Sequence, residues 1–150
     1  MDDPAGSGRQ IVDSNVYMTL ATADADGSPW PSPVWFAHEG YTHFVWVSKP
    51  DARHSRNLAV RPETGIVIFD SSARQGAAQA VYLEATAAQV GDDEEERWIE
   101  VFSARSQAMG WPAWSVGDVR APAAHRLYRA DATAQFVLGE HDQRVEVALG

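Results

Sequence analysis

Two kinds of periodicity alternate along this chain. In V-Y-M-T-L-A-T (16–22) bulky and small residues alternate with a period of two, the mark of a half-buried strand, and D-A-D-G-S-P (24–29) carries an Asp-Gly turn signal. Together they predict a hairpin. Its second arm, W-P-S-P-V-W-F-A-H (30–38), holds Pro31 and Pro33, which cannot donate ladder hydrogen bonds and so predict an edge or a bulge with free backbone groups. T-H-F-V-W-V-S (42–48) sets Phe44 and Trp46 against Val45 and Val47 as a third strand.

The period then changes. Pro50 and Asp51 read as a helix start, with Ala52, Ser55 and Leu58 or Ala59 on one face and Arg53 and Arg56 on another. Pro62 predicts that this helix ends by Arg61. T-G-I-V-I-F-D (64–70) and Q-A-V-Y-L-E-A-T-A-A-Q-V (79–90) return to strand spacing around a loop at 71–78. D-D-E-E-E (92–96) places five acids at the positive end of a second helix whose buried stripe is Trp98, Val101 and Phe102. A solvated helix start explains those acids better than a cation site does. Residues 107–124 read as a loop broken by Gly110, Pro112, Gly117 and Pro122, and three strand-like runs follow at 125–131, 133–139 and 144–149. Residues 1–10 read as a flexible N-terminal arm and 11–150 as one domain. The pattern predicts a mainly β protein, an antiparallel β-barrel with helices at its margins.

Composition narrows the chemistry. The chain has 150 residues and a formal net charge of −9, which disfavours nucleic acid and anionic lipid as partners over most of its surface. It has no cysteine, so disulfides, thiolate metal sites and thiol nucleophiles are excluded, and redox chemistry would need a cofactor. No apolar run approaches the roughly 20 residues that span a bilayer, and the first residues lack a secretory pattern, so the expectation is no membrane and a cytoplasmic location. Five histidines fall at 38, 43, 54, 125 and 141 without zinc-site spacing, and no metal site is expected.

Against this acidic background the window 47–61 stands out, carrying Lys49, Arg53, Arg56 and Arg61 beside one acid, Asp51. Ser48, Lys49, Arg53, His54 and Arg56 supply charged and forked donors at a helix start, which suits a phosphate. A solvated basic face is the alternative, and the local inversion of charge favours the phosphate. P-S-P-V-W-F (31–36) offers free backbone beside aromatic side chains, as a flat heteroaromatic ring requires, though an edge strand with core aromatics would read the same way. Trp111 and Trp114, in a stretch that ought to be polar, either line a substrate pocket or cover a barrel end.

Taken together, T-L-A-T…D-G-S-P-W-P-S-P-V-W-F, R-H-S-R-N-L-A-V-R-P-E-T-G-I-V-I-F, V-Y-L-E-A-T-A and H-R-L-Y-R-A resemble the pyridoxamine 5′-phosphate oxidase-like, flavin-binding split-barrel superfamily over roughly residues 12–139. The resemblance implies a six-stranded antiparallel split β-barrel and a homodimer, with FMN or the deazaflavin coenzyme F-420 in grooves at the dimer interface. It implies that Arg53 and His54 stand where an Arg-Lys pair holds the FMN phosphate, with Lys49 or Arg56 able to replace the cation that His54 does not supply. Ser32, Val34 and Trp35 match the strand whose backbone lines the isoalloxazine, and Trp46, Val47 and Ser48 the next strand over the ring and ribityl chain. The arginine- and histidine-bearing motif with which true oxidases grip pyridoxal phosphate has no counterpart in R-L-Y-R-A-D or the tail. The expectation is an FMN-dependent oxidoreductase acting on a small molecule, with no catalytic side chain assigned. The alternatives are a deazaflavin-dependent reductase, to whose longer acidic tail Arg74 could contribute, and a non-catalytic flavin- or haem-binding protein, as haem-binding relatives exist.

Overall fold

A computed structural model describes residues 3–150. The elements run α1 (Pro4–Ser14), β1 (Tyr17–Ala23), β2 (Pro29–Trp35), β3 (Ala37–Glu39), β4 (His43–Ser48), α2 (Arg53–Val60), β5 (Glu63–Phe69), β6 (Ala80–Gln89), α3 (Glu95–Ala108), β7 (Arg126–Leu138) and β8 (Arg144–Glu146). The strands form one antiparallel sheet in the order β2–β1–β5–β6–β7–β4–β3, with β8 on β7. Only Phe36 separates β2 from β3, yet the two strands stand at opposite ends of that path. The sheet therefore curls on itself into a split barrel.

Side-chain alternation decides what fills it. Met18 and Leu20 of β1, Val34 of β2, Phe44 and Trp46 of β4, Ile66 and Ile68 of β5, and Leu83 of β6 point inward and are buried in one apolar core. On the outer face of β3, β4 and β7 a second core forms, where Trp98, Ile99 and Phe102 of α3 pack on Ala37, Val45 and Leu127. Ion pairs fasten α3 in place: Arg97 reaches Glu39 at 2.7 Å, Arg129 reaches Glu94 at 2.9 Å and Arg120 reaches Glu95 at 2.9 Å. Glu95, one of the five acids expected in solvent, is buried with this arginine as its partner.

Several sequence expectations change. The resemblance implies six strands and the sheet has eight, because the break at Phe36 splits the proline-bearing arm and the expected run at 144–149 pairs with β7 over Arg144–Glu146. The runs at 125–131 and 133–139 are one strand, β7, carried past a register shift opposite Glu84 and Ala85. A bulge takes up the extra residue and lets pairing continue. Residues 4–10 of the expected arm are helical, while Met1 and Asp2 lie outside the described residues. Asp3 caps α1 by accepting from the Gly6 N–H at 2.9 Å, and Pro4 sits in the first turn, where its missing N–H does no harm. A Cβ on Gly8 would stand 2.7 Å from Leu149 and 3.0 Å from Val137. The missing side chain lets α1 close over the barrel. Among the described residues no helix is long and apolar enough to cross a membrane.

Candidate functional site

The basic window folds as the sequence predicts. β4 ends at Ser48, and α2 starts at Arg53 and closes one end of the barrel with Ser55, Asn57 and Leu58 buried beneath it. Asn57 Nδ2 donates to Thr22 Oγ1 at 3.0 Å, and that hydroxyl donates to the Trp30 carbonyl at 3.1 Å, so α2 is tied to both strands of the first hairpin. The helix has no side-chain cap and no acid in its first turn. Its free N–H groups and positive end favour an anion, while Lys49, Arg53 and Arg56 are exposed beside it.

The partners of the cations set this cluster apart. Among the described residues Arg9, Arg97, Arg120 and Arg129 have acid partners, and Arg61, Arg105 and Arg126 donate to backbone carbonyls. Lys49, Arg53, Arg56, Arg74 and Arg144 have neither, and the first three of these fall together at the start of α2, in a chain with 21 acids. Arg53 instead stands over an indole, its Cζ 4.2 Å from the Trp30 ring centre. His54 is not part of the charge. It is half-buried and shares a 2.8 Å hydrogen bond with Ser48 Oγ, and burial pushes its imidazole below the ordinary value of 6.5, so it is neutral at pH 7.

An apolar groove of about 620 Å³ lies on the outer face of β2 and β4, walled by α3 and the segment after it. Trp35, Val47, Phe102, Met109, Trp111 and Trp114 supply its apolar surface, and Tyr17 and Val16 border it at the start of β1. Trp35 and Trp114 both stand edge-on to Phe102, with ring centres 5.1 and 5.3 Å away. Ser103 Oγ accepts from the Trp114 N–H at 2.8 Å, and Ser106 Oγ donates to the Pro112 carbonyl at 2.7 Å. The aromatic loop is thereby pinned to α3. Ser106, Asp118 and His125 bring polar groups to this space. Asp118 is engaged by the N–H and hydroxyl of Ser115, whereas the His125 ring has no hydrogen-bond partner among the described residues.

The predicted residues divide by strand alternation. Trp35 and Val47 line the groove, and Trp111 and Trp114, expected as a substrate pocket, line it with them. Ser32, Val34, Trp46 and Ser48 are buried on the other side of their strands, so only their backbone can border a ligand outside the barrel. Trp46 is fully enclosed and stacks on Tyr128 with centroids 5.7 Å apart. The groove reaches Val47, and the chain passes from there through Ser48 to Lys49 and α2. In sequence Lys49 follows the groove residue Val47 by two positions, while Arg53 rests on Trp30, five residues along β2 from the groove residue Trp35 and about 17 Å away along the strand. Arg74 is elsewhere. It lies in the connection before Ala80, whereas α2 follows Ser48, which pairs with Arg126 near the Gln89 end of β6. The ten residues of β6 separate those ends by about 30 Å.

Sequence reasoning missed Phe102, Met109 and His125 as groove residues. Phe102 belongs to the expected helix stripe, which does not reveal that one edge of the stripe stays uncovered. His125 had no partner at ligand spacing, and only the return of β7 beside β4 brings it to Val47.

Residues 8–138 match the family described as pyridoxamine 5′-phosphate oxidase. Heme oxygenase HutZ of Vibrio cholerae is 33% identical over 96 residues, 62% of this chain and 53% of that protein, so the chain spans about half the length of this curated relative. A heme-binding protein from Mycobacterium smegmatis superposes with a TM-score of 0.72 at 24% identity over 99% of this chain and 59% of that one. An F420 reductase superposes with a TM-score of 0.62 at 16% identity over 85% of this chain and 94% of that one. At these identities the two structures establish the fold alone.

Proposed function

Because the chain belongs to the pyridoxamine 5′-phosphate oxidase family, we propose that it is a flavoprotein that binds FMN, with the ring in the Trp35–Trp114 groove and the phosphate at the start of α2. The observation that supports this reading is an aromatic groove whose wall at Val47 leads within two residues to Lys49 and the cations of α2, none of which has an acid partner among the described residues, in an acidic chain. Trp35, Phe102 and Trp114 offer faces and edges to a flat ring, and Lys49, Arg53 and Arg56 offer donors to a phosphate. A bound flavin would supply two-electron redox chemistry at its ring. The chain would orient it, exclude water with the pinned 109–118 segment and leave room for a small-molecule substrate beside Trp111. The longer acidic tail of the deazaflavin F-420 would also meet these cations, though Arg74 is too far away to join them.

Self-association belongs to this proposal. The outer face of β1 and β5 exposes Tyr17 and Phe69 and leaves Thr19 and Val67 half-buried, and Tyr17 also borders the groove. A second copy on this face would extend the groove wall, as the family resemblance leads one to expect for a homodimer.

One observation favours a second reading. The unpartnered His125 imidazole in an apolar groove is what a haem iron requires of an axial ligand, and HutZ is described as a heme oxygenase. Parallel titrations with FMN, F-420 and hemin separate these readings. The flavin reading predicts tightest binding of FMN, with His125→Ala leaving it within about threefold. Tight hemin binding with a Soret band that shifts on His125→Ala, alongside weak FMN binding, would replace it.

A further inference from the structure

Arg53 differs from Lys49 and Arg56 in resting on something. Its guanidinium carbon stands 4.2 Å from the centre of the Trp30 ring, within the range of a cation–π contact. Trp30 is in turn anchored. It pairs with Thr22 in the β1–β2 ladder, its carbonyl accepts from Thr22 Oγ1, and that oxygen accepts from the buried Asn57 of α2. One residue thus meets α2 twice, by backbone through Thr22 and by side chain through Arg53.

Core packing does not account for the ring. Trp30 lies on the same side of β2 as Ser32 and Val34, both buried, yet it remains 40% exposed. An indole at the edge of a barrel end, under an arginine with no acid partner, is placed as a platform.

We propose that Trp30 is a positioning residue of the anion site, holding the Arg53 guanidinium flat so that its in-plane N–H groups are already aimed at the phosphate of a phosphorylated planar cofactor. This rests on the reading of α2 as the cofactor's anion site. Arginine on an aromatic face keeps its forked donors free at the rim, and a side chain fixed beforehand loses less conformational freedom when the anion arrives. The ring works through the arginine. It need not touch the ligand.

Binding of FMN and of riboflavin, which lacks the phosphate, is to be measured for the wild type, Trp30→Ala, Trp30→Phe, Arg53→Ala and the double Trp30→Ala/Arg53→Ala, with thermal melting as the check on folding. Trp30→Ala should weaken FMN binding about three- to tenfold and leave riboflavin within about twofold, and Trp30→Phe should recover most of the loss. The double variant should be no weaker than Arg53→Ala alone, because the ring has nothing to position once the arginine is gone. Independent, additive losses, or equal weakening of riboflavin, would overturn the proposal. Calorimetry with inorganic pyrophosphate separates this idea from the cofactor reading. If wild-type chain takes pyrophosphate but no flavin, the flavin reading fails while the same coupling between Trp30 and Arg53 must appear on pyrophosphate. If it takes neither, both fall.

Discussion

Removing the two arginines of α2 together is the perturbation most closely tied to the proposed chemistry. In the variant Arg53→Ala/Arg56→Ala the groove is untouched, since neither side chain lines it, and both residues are exposed. A hydrogen bond to a charged group contributes about 1.5–3 kcal/mol when sheltered, and exposed pairs fall nearer 1 kcal/mol. Two partly exposed contacts to one phosphate therefore sum to about 2–4 kcal/mol, or about 30- to 1,000-fold in Kd at 1.4 kcal/mol per factor of ten. Each single change should give roughly the square root of that. Quenching of flavin fluorescence gives the affinity, with riboflavin as the control. The loss should be confined to FMN, and added salt should weaken FMN in the wild type more than in the variant, because the removed interaction is the screened one. Folding should stay within about 0.5 kcal/mol, as for ordinary surface changes. An FMN affinity unchanged in the double variant would refute the reasoning, and so would parallel losses for FMN and riboflavin.

Two further outcomes follow. Burial lowers the His54 pKa, so the folded chain resists the proton that the unfolded chain accepts. The stability contributed by a neutral His54 is complete above pH 6.5 and declines as pH falls below it, and His54→Gln should flatten that limb in melts between pH 7.5 and 5. Trp46 is fully enclosed by the barrel, so Trp46→Ala should lower stability by about 3–5 kcal/mol in denaturant titrations; a loss under 1 kcal/mol would place this side chain outside the core.

The barrel was legible because its strands obey period two wherever one face is buried. Phe44 and Trp46 against Val45 and Val47 set the orientation of β4, and the prolines of β2 marked an edge, which it is. The α2 cations were legible because charge inversion survives without any tertiary information. What failed to show depends on contacts distant in sequence. The α1 helix forms despite two glycines because Gly8 fits under Leu149 and Val137, and β7 runs unbroken because a bulge absorbs its irregular register. The same applies to the site. Of the strand matched to the ring, Val47 presents its side chain to the groove while Trp46 and Ser48 can offer only backbone, and His125 acquires meaning only when β7 is laid beside β4.

The central claim is that one planar cofactor spans the aromatic groove and the cations of α2. Native mass spectrometry with an absorption spectrum, on protein purified from its own host, tests it directly. A yellow protein carrying the added mass of FMN, lost on denaturation, is expected. A Soret band with the mass of haem, or a colourless chain that takes up no flavin when FMN is supplied, would contradict it.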